Sequence, residues 1–172
     1  DFGKSVGSNM FLAYGAEWRE ETFTTVPGQQ AAIDGNTSGM SSVKPADAGE
    51  FSRDNLAFYA DLEHDVSDQL MMQYAVRYED FSDFGSTVNG KVAGRYTVSD
   101  NLTLRGSVST GFHAPTPGQA NVSTVITTFD GTTGLQVEEG LVRPTSDAAI
   151  AVGGAPLKEE ESVNMSFGLT TD

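Results

Sequence analysis

NLAFYADLEHDVSDQLMMQYAVRYEDF, Asn55 to Phe81, alternates apolar and polar residues, interrupts itself at Asp65-Val66-Ser67-Asp68, and alternates again. Successive side chains of an extended chain point to opposite faces, so Leu56, Phe58, Ala60 and Leu62 share one face while Ala57, Tyr59, Asp61 and Glu63 share the other. After the interruption Leu70, Met72, Tyr74, Val76 and Tyr78 oppose Gln73, Arg77 and Glu79. So short a connection predicts an antiparallel hairpin with one apolar and one polar face.

The pattern recurs on both sides. In Asn9 to Phe23, Leu12, Tyr14, Ala16 and Trp18 oppose Ala13, Gly15, Glu17, Arg19 and Glu21. Thr87 to Thr97 sets Val88, Val92 and Tyr96 against Asn89, Lys91 and Arg95, and the turn Val98-Ser99-Asp100-Asn101 leads into Leu102 to Phe112, where Leu104 and Val108 oppose Arg105 and Ser107. Ser162 to Thr171 sets Val163, Met165, Phe167 and Leu169 against Asn164, Ser166 and Thr170. The prediction is all-β: an antiparallel meander of about six strands, with Thr87–Thr97 paired to Leu102–Phe112.

Composition says which side of that sheet needs explaining. Of 172 residues 38% are hydrophobic and 19 are glycine, a thin supply for a water-soluble core. Ten basic against 24 acidic residues give a net charge of -14, which excludes the electrostatic footprint of a nucleic-acid binder. There is no cysteine, hence no disulfide, zinc-thiolate site or thiol nucleophile. No apolar run is long enough for a spanning helix, and DFGKSVGSNM is not a signal peptide. Spanning strands leave a different trace: alternating segments joined by short turns on one side and long loops on the other. Here 65–68 and 98–101 are short, whereas 24–54 and 113–161 are long and polar, with 82–86 between. This is the arrangement of a large outer-membrane β-barrel, with both chain ends on the short-turn, periplasmic side. Trp18, Tyr78, Phe81, Phe84 and Phe112 fall toward the long-loop end, as an interfacial aromatic girdle requires, and Pro115 and Pro117 end the last ladder there. The alternative is a soluble secreted β-sandwich binding module, whose strands alternate equally well around an internal core.

NLTLRGSVSTGFHAPTPGQ, Asn101 to Gln119, resembles a strand and loop of TonB-dependent outer-membrane receptors, at Leu104, Arg105, Ser107, Ser109, Gly111, Phe112, Ala114, Pro115 and Thr116. It departs at His113, where the family usually has arginine, so a role for that arginine does not carry over. LKEEESVNMSFGL, Leu157 to Leu169, resembles another strand of the family, with Glu159 in place of proline, and RYEDFSDFGSTVNGK, Arg77 to Lys91, resembles one of its hairpins. The resemblance implies a barrel of about 22 strands with a plugged lumen. Residues 1–172 are then expected to be part of that barrel, without plug domain or closing C-terminal strand. It also implies the partners: outer-membrane lipid and the remaining barrel strands, the plug and the TonB machinery through the full-length receptor, and a small-molecule ligand (iron chelate, cobalamin or oligosaccharide) taken up with energy input and without catalysis.

Chemistry-bearing groups are sparse. Arg77, Arg95, Arg105, Phe112 and His113 are the candidate ligand contacts, set against cross-strand pairing of Arg77 with Asp61 or Glu63. His64 and His113 are far apart in sequence and lack a serine elbow, so no catalytic triad is expected. No cofactor or metal site is expected: Glu159-Glu160-Glu161 and Asp80 with Asp83 read as solvated charges or contacts to lipopolysaccharide-bridging cations, and Asp34-Gly35-Asn36 reads as a turn. A secreted hydrolase would need two carboxylates facing one cleft.

Overall fold

The hairpin expected at Asn55–Phe81 forms in the computed structural model, which describes residues 1–34 and 43–171. The strands, in chain order, are β1 (Phe2–Val6), β2 (Met10–Thr25), β3 (Gly49–Asp65), β4 (Leu70–Phe81), β5 (Gly85–Ser99), β6 (Leu102–His113), β7 (Thr124–Phe129), β8 (Gln136–Leu141) and β9 (Glu160–Thr171). Seven make one antiparallel sheet in the order β1-β2-β3-β4-β5-β6-β9. β3 pairs with β4 from Asn55↔Phe81 to Asp65↔Met71, and the Ser67 hydroxyl accepts from the Gln69 and Leu70 amides to close the turn. β5 pairs with β6 from Ser99↔Leu102 to Lys91↔Ser109; just above, the Gly90 N–H donates to the Thr110 hydroxyl. Gly85 opens β5 with a φ of 108°, a conformation that needs glycine.

The sheet has one strand more than alternation predicts. β1 mixes Phe2, Lys4 and Val6 on one face, which hides it from a pattern search, yet it pairs from Phe2↔Tyr14 to Val6↔Met10 with the Phe2 and Tyr14 rings stacked 5.6 Å apart. Asp1 therefore accepts the Tyr59 hydroxyl at 2.7 Å, against the middle of the wall, and not at the short-turn end that a six-strand count implies.

Face assignment follows residue parity through β3, β4, β5, β6 and β9 up to the register shift between Thr97 and Ser99 in β5. One side carries continuous apolar rows, Leu62↔Tyr74↔Val92↔Val108↔Met165 and Leu70↔Tyr96↔Leu104↔Leu169. The other carries Glu63↔Gln73↔Ala93↔Ser107↔Ser166. Burial runs opposite to that of a water-soluble domain: Phe58 and Val76 are each 49% exposed, while Asn55 is 1% and Glu79 7%. Among the described residues Ala57 and Phe81 are the buried hydrophobic side chains. Of the expected aromatic girdle, Trp18 and Tyr78 lie on the exposed apolar side. Phe81 instead is buried, stacked on Phe84 at 4.6 Å and edge-on to Phe112 at 5.8 Å, because its odd position in β4 takes it off the apolar face. No helix among the described residues is long and apolar enough to cross a membrane.

The chain divides into two compact units. The first, Asp1–Arg19, Asp54–Ala114 and Glu159–Asp172, holds most of the sheet. The second, Glu20–Arg53 and Pro115–Lys158, is built from the long connections. Their described residues carry three short helices, α1 (Gln30–Asp34), α2 (Pro117–Asn121) and α3 (Asp147–Ala151), and the β7–β8 hairpin, in register from Thr124↔Leu141 to Phe129↔Gln136. Thr116 and Gln119 cap α2 reciprocally, with Pro117 in its first turn, so the chain that leaves β6 turns at once into a helix. At Gly140 a Cβ would sit 2.3 Å from the Thr124 carbonyl oxygen, so the hairpin closes only with glycine there. The turn expected at Asp34-Gly35-Asn36 lies largely outside the described residues.

Candidate functional site

On the polar face of the first unit Arg77 is held from two sides. Its Nη2 donates to the Glu17 carboxylate at 3.0 Å and its Nε to Glu79, which also accepts the Asn55 amide at 3.2 Å. Pairing with Asp61 or Glu63 does not occur. The register places Tyr59 opposite Arg77, while Asp61 lies opposite Ala75 and accepts the Gln73 amide at 2.8 Å. Glu17 and Glu79 are thus both engaged by the one guanidinium of Arg77.

Arg95 and Arg105 are direct cross-strand partners. With Lys91, Gln73, Ser107 and Ser166 they line a cavity of about 210 Å³ on the polar side, where the Ser107 and Ser166 hydroxyls share a hydrogen bond of 2.7 Å. Phe112 and His113 stand at the other end of β6: Phe112 is half-buried against Phe81, and His113 is exposed opposite Glu160. Eight residues separate Arg105 from His113, about 26 Å along an extended strand, too far for one small ligand to touch both. The five candidate contacts therefore form no single site.

Two arginines that alternation leaves unremarked organise the second unit. Arg53 is only 5% exposed; its guanidinium pairs with Glu21, Nε at 2.6 Å, and donates to the Pro115 carbonyl. Arg143 donates from Nε to the Asn121 carbonyl and from Nη2 to the Asp47 carbonyl, both at 3.1 Å, and lies 4.7 Å from the centroid of the Phe51 ring. Each ties residues 20–53 to residues 115–158, so the two long connections form one platform. Arg53 was discoverable: Phe51, Arg53 and Asn55 extend the parity of the polar face upstream of the recognised strand. Arg143, beside Pro144 in an irregular stretch, carries no periodic signal.

His64 is opposite Met72 in the ladder. Glu160 and Glu161 start β9 and so point to opposite faces, while Glu159 and Glu161 line one cavity with Thr110 and Ser162. Among the described residues no three His, Cys, Asp or Glu side chains are placed to hold a metal ion. In the β7–β8 turn Asp130 accepts from the Thr132 and Thr133 amides and the Thr133 hydroxyl, bonds that hold its carboxyl below the ordinary range, the Thr133 amide most of all.

Comparison with known proteins gives the same picture. A family model described as TonB dependent receptor-like, beta-barrel, matches residues 1–172. The ferric enterobactin receptor PirA of Pseudomonas aeruginosa is 24% identical over 163 residues, 92% of this chain and 20% of that protein. The siderophore receptor PirA from Acinetobacter baumannii superposes with a TM-score of 0.66 at 18% identity, over 99% of this chain and 23% of that one. A variant of the ferric enterobactin receptor PfeA of Pseudomonas aeruginosa, solved in complex with enterobactin, gives 0.68 at 16% identity, again over 99% and 23%. The chain spans about a fifth of the length of the curated relative, and at these identities the structural likeness concerns the fold.

Proposed function

The chain belongs to the β-barrel family of TonB-dependent receptors, and from that membership we propose that it forms a stretch of barrel wall, with its long connections, in an outer-membrane receptor that imports an iron chelate. The observation that carries this reading is the reversed wall: apolar rows exposed on one side, polar groups buried on the other. Such a sheet is stable where lipid covers the apolar rows and further strands pair its edges at β1 and β9. A soluble sandwich is disfavoured, since it would have to bury Phe58, Val76 and Met165, all of which are exposed.

In this reading residues 1–172 are part of a larger barrel whose plug and closing strand belong to the rest of the receptor. Receptors of this family transport their ligands and do not convert them. The long connections tied by Arg53 and Arg143 contribute to ligand capture, and the TonB machinery, acting on the plug, supplies the energy for passage. The named relatives favour an iron chelate over cobalamin or an oligosaccharide. Ferric enterobactin uptake by cells lacking their own enterobactin receptors and expressing the full-length receptor tests the ligand; failure to bind or import it refutes the assignment. Topology is tested separately. The chain has no cysteine, so Ser99→Cys and His113→Cys report cleanly: His113→Cys reacts with an impermeant maleimide on intact cells, Ser99→Cys only after the outer membrane is permeabilised. Equal labelling of both from outside overturns the orientation.

A further inference from the structure

We infer that Lys91, Arg95 and Arg105 form an anion site on the inner face of the wall, which the negatively charged iron chelate contacts on its way toward the short-turn end. The inference rests on the import function proposed above and adds to it a second station, on the strands of the wall and not on the long connections. Arg95 stands four residues before the end of β5 and Arg105 three after the start of β6, so both belong to the short-turn half.

Two observations make this patch unlike the rest of the wall. Arg95 and Arg105 are direct cross-strand partners, an arrangement in which like charges repel and weaken the sheet unless an anion lies between them. The cavity they line with Lys91 has no carboxylate among its lining residues; its other polar groups are the Gln73 amide and the Ser107 and Ser166 hydroxyls. Composition works against such a gathering, since acids outnumber bases 24 to 10 in the chain. The wall neutralises cations where it needs to: Arg77 has Glu17 and Glu79. Asp61, level with Lys91 across Ala75, accepts the Gln73 amide instead.

Exposure decides what kind of anion fits. All three cations are solvent-exposed, so water screens any ion pair they make and the partner is held loosely. Loose holding suits a ligand that must leave again, whereas a permanent structural contact in this protein takes the form of Arg53, buried and hydrogen-bonded to Glu21. A cavity of about 210 Å³ accommodates one anionic edge of a chelate rather than the whole molecule.

The test compares binding with transport in the full-length receptor carrying Arg95→Gln and Arg105→Gln. Ferric enterobactin binding is measured on de-energised cells and its uptake rate on energised cells, at matched surface abundance. The expected result is a dissociation constant unchanged within about twofold and a maximal uptake rate lowered about tenfold, the loss of roughly one charge-assisted bond. Replacing both arginines by lysine should restore most of the rate. If the double glutamine variant does not reach the membrane, Lys91→Gln in the same cavity replaces it, with a smaller loss of the same kind expected. Unchanged uptake overturns the inference, and so does loss of surface binding. Increased passive entry of a bulky antibiotic also overturns it, by showing that the patch seats the plug. A parental receptor that neither binds nor imports ferric enterobactin refutes the underlying function and this site with it, a result distinct from normal import by parent and variants alike.

Discussion

Val76→Arg separates a wall in lipid from a wall in water. β4 is 12 residues long, about 40 Å at the usual rise, and Val76 lies about 20 Å from its start. With strands tilted about 40°, that is about 15 Å of depth, close to the middle of an apolar band about 25 Å tall. Its cross-strand partners are Ala60 and Gly90, and its diagonal neighbours are Phe58, Leu62, Val88 and Val92, so no carboxylate is at hand to pair a guanidinium. Val76 is half-exposed, and in water an arginine there would change stability by no more than about 0.5 kcal/mol. Facing the bilayer midplane it should cost about 2–4 kcal/mol, a factor of about 30 to 900 in the folding equilibrium. Val98→Arg, beside the short turn, is the matched control at about 0–1 kcal/mol. Folding of the full-length receptor from urea into lipid vesicles, read by heat-modifiable gel migration, measures both. Equal costs for the two substitutions would refute the lipid-facing assignment.

Three further expectations concern the platform. Arg53→Met leaves Glu21 without its guanidinium and should cost about 2–3 kcal/mol, less than for a fully buried pair because Glu21 is partly exposed; combining it with Glu21→Met should recover part of the loss in thermal melting. Arg143→Ala should speed proteolysis within 115–158 several-fold, and Arg143→Lys should not rescue it, since an ammonium does not reproduce the planar two-point reach to Asn121 and Asp47 over Phe51. Because the Asp130 carboxyl is held below the ordinary range, its turn contributes fully above that range and loses its contribution only as pH falls through the lowered value. Amide protection at Thr132 and Thr133 should therefore survive to lower pH than an unperturbed aspartate would allow, and protection lost within the ordinary range contradicts the hydrogen-bond assignment.

Much of this was legible in the residues because a β-strand has a period of two. Parity alone puts Leu62, Tyr74, Val92 and Val108 on one face and Glu63, Gln73 and Arg95 on the other, and a connection as short as 66–69 makes β3 and β4 pair with each other. The end of the ladder at Pro115 was legible too, since proline donates no hydrogen bond. β1 was not, because Lys4 interrupts its apolar positions, nor was the β7–β8 hairpin, whose Thr124–Phe129 strand has no clean alternation.

The sequence by itself determined the fold class, the two faces of the wall and the points where the chain leaves it, because these depend on neighbours within a strand or across a tight turn. Only the tertiary structure decided which charge meets which. Glu17 rather than Asp61 reaches Arg77, Arg95 is set against Arg105, and Arg143 brings Asp47 and Asn121 together from segments far apart in the chain. Parity fixes the side a residue takes, but its partner depends on the register and stagger of strands and on the closure of long loops. Those are settled by the packing of the whole chain, and no local period encodes them.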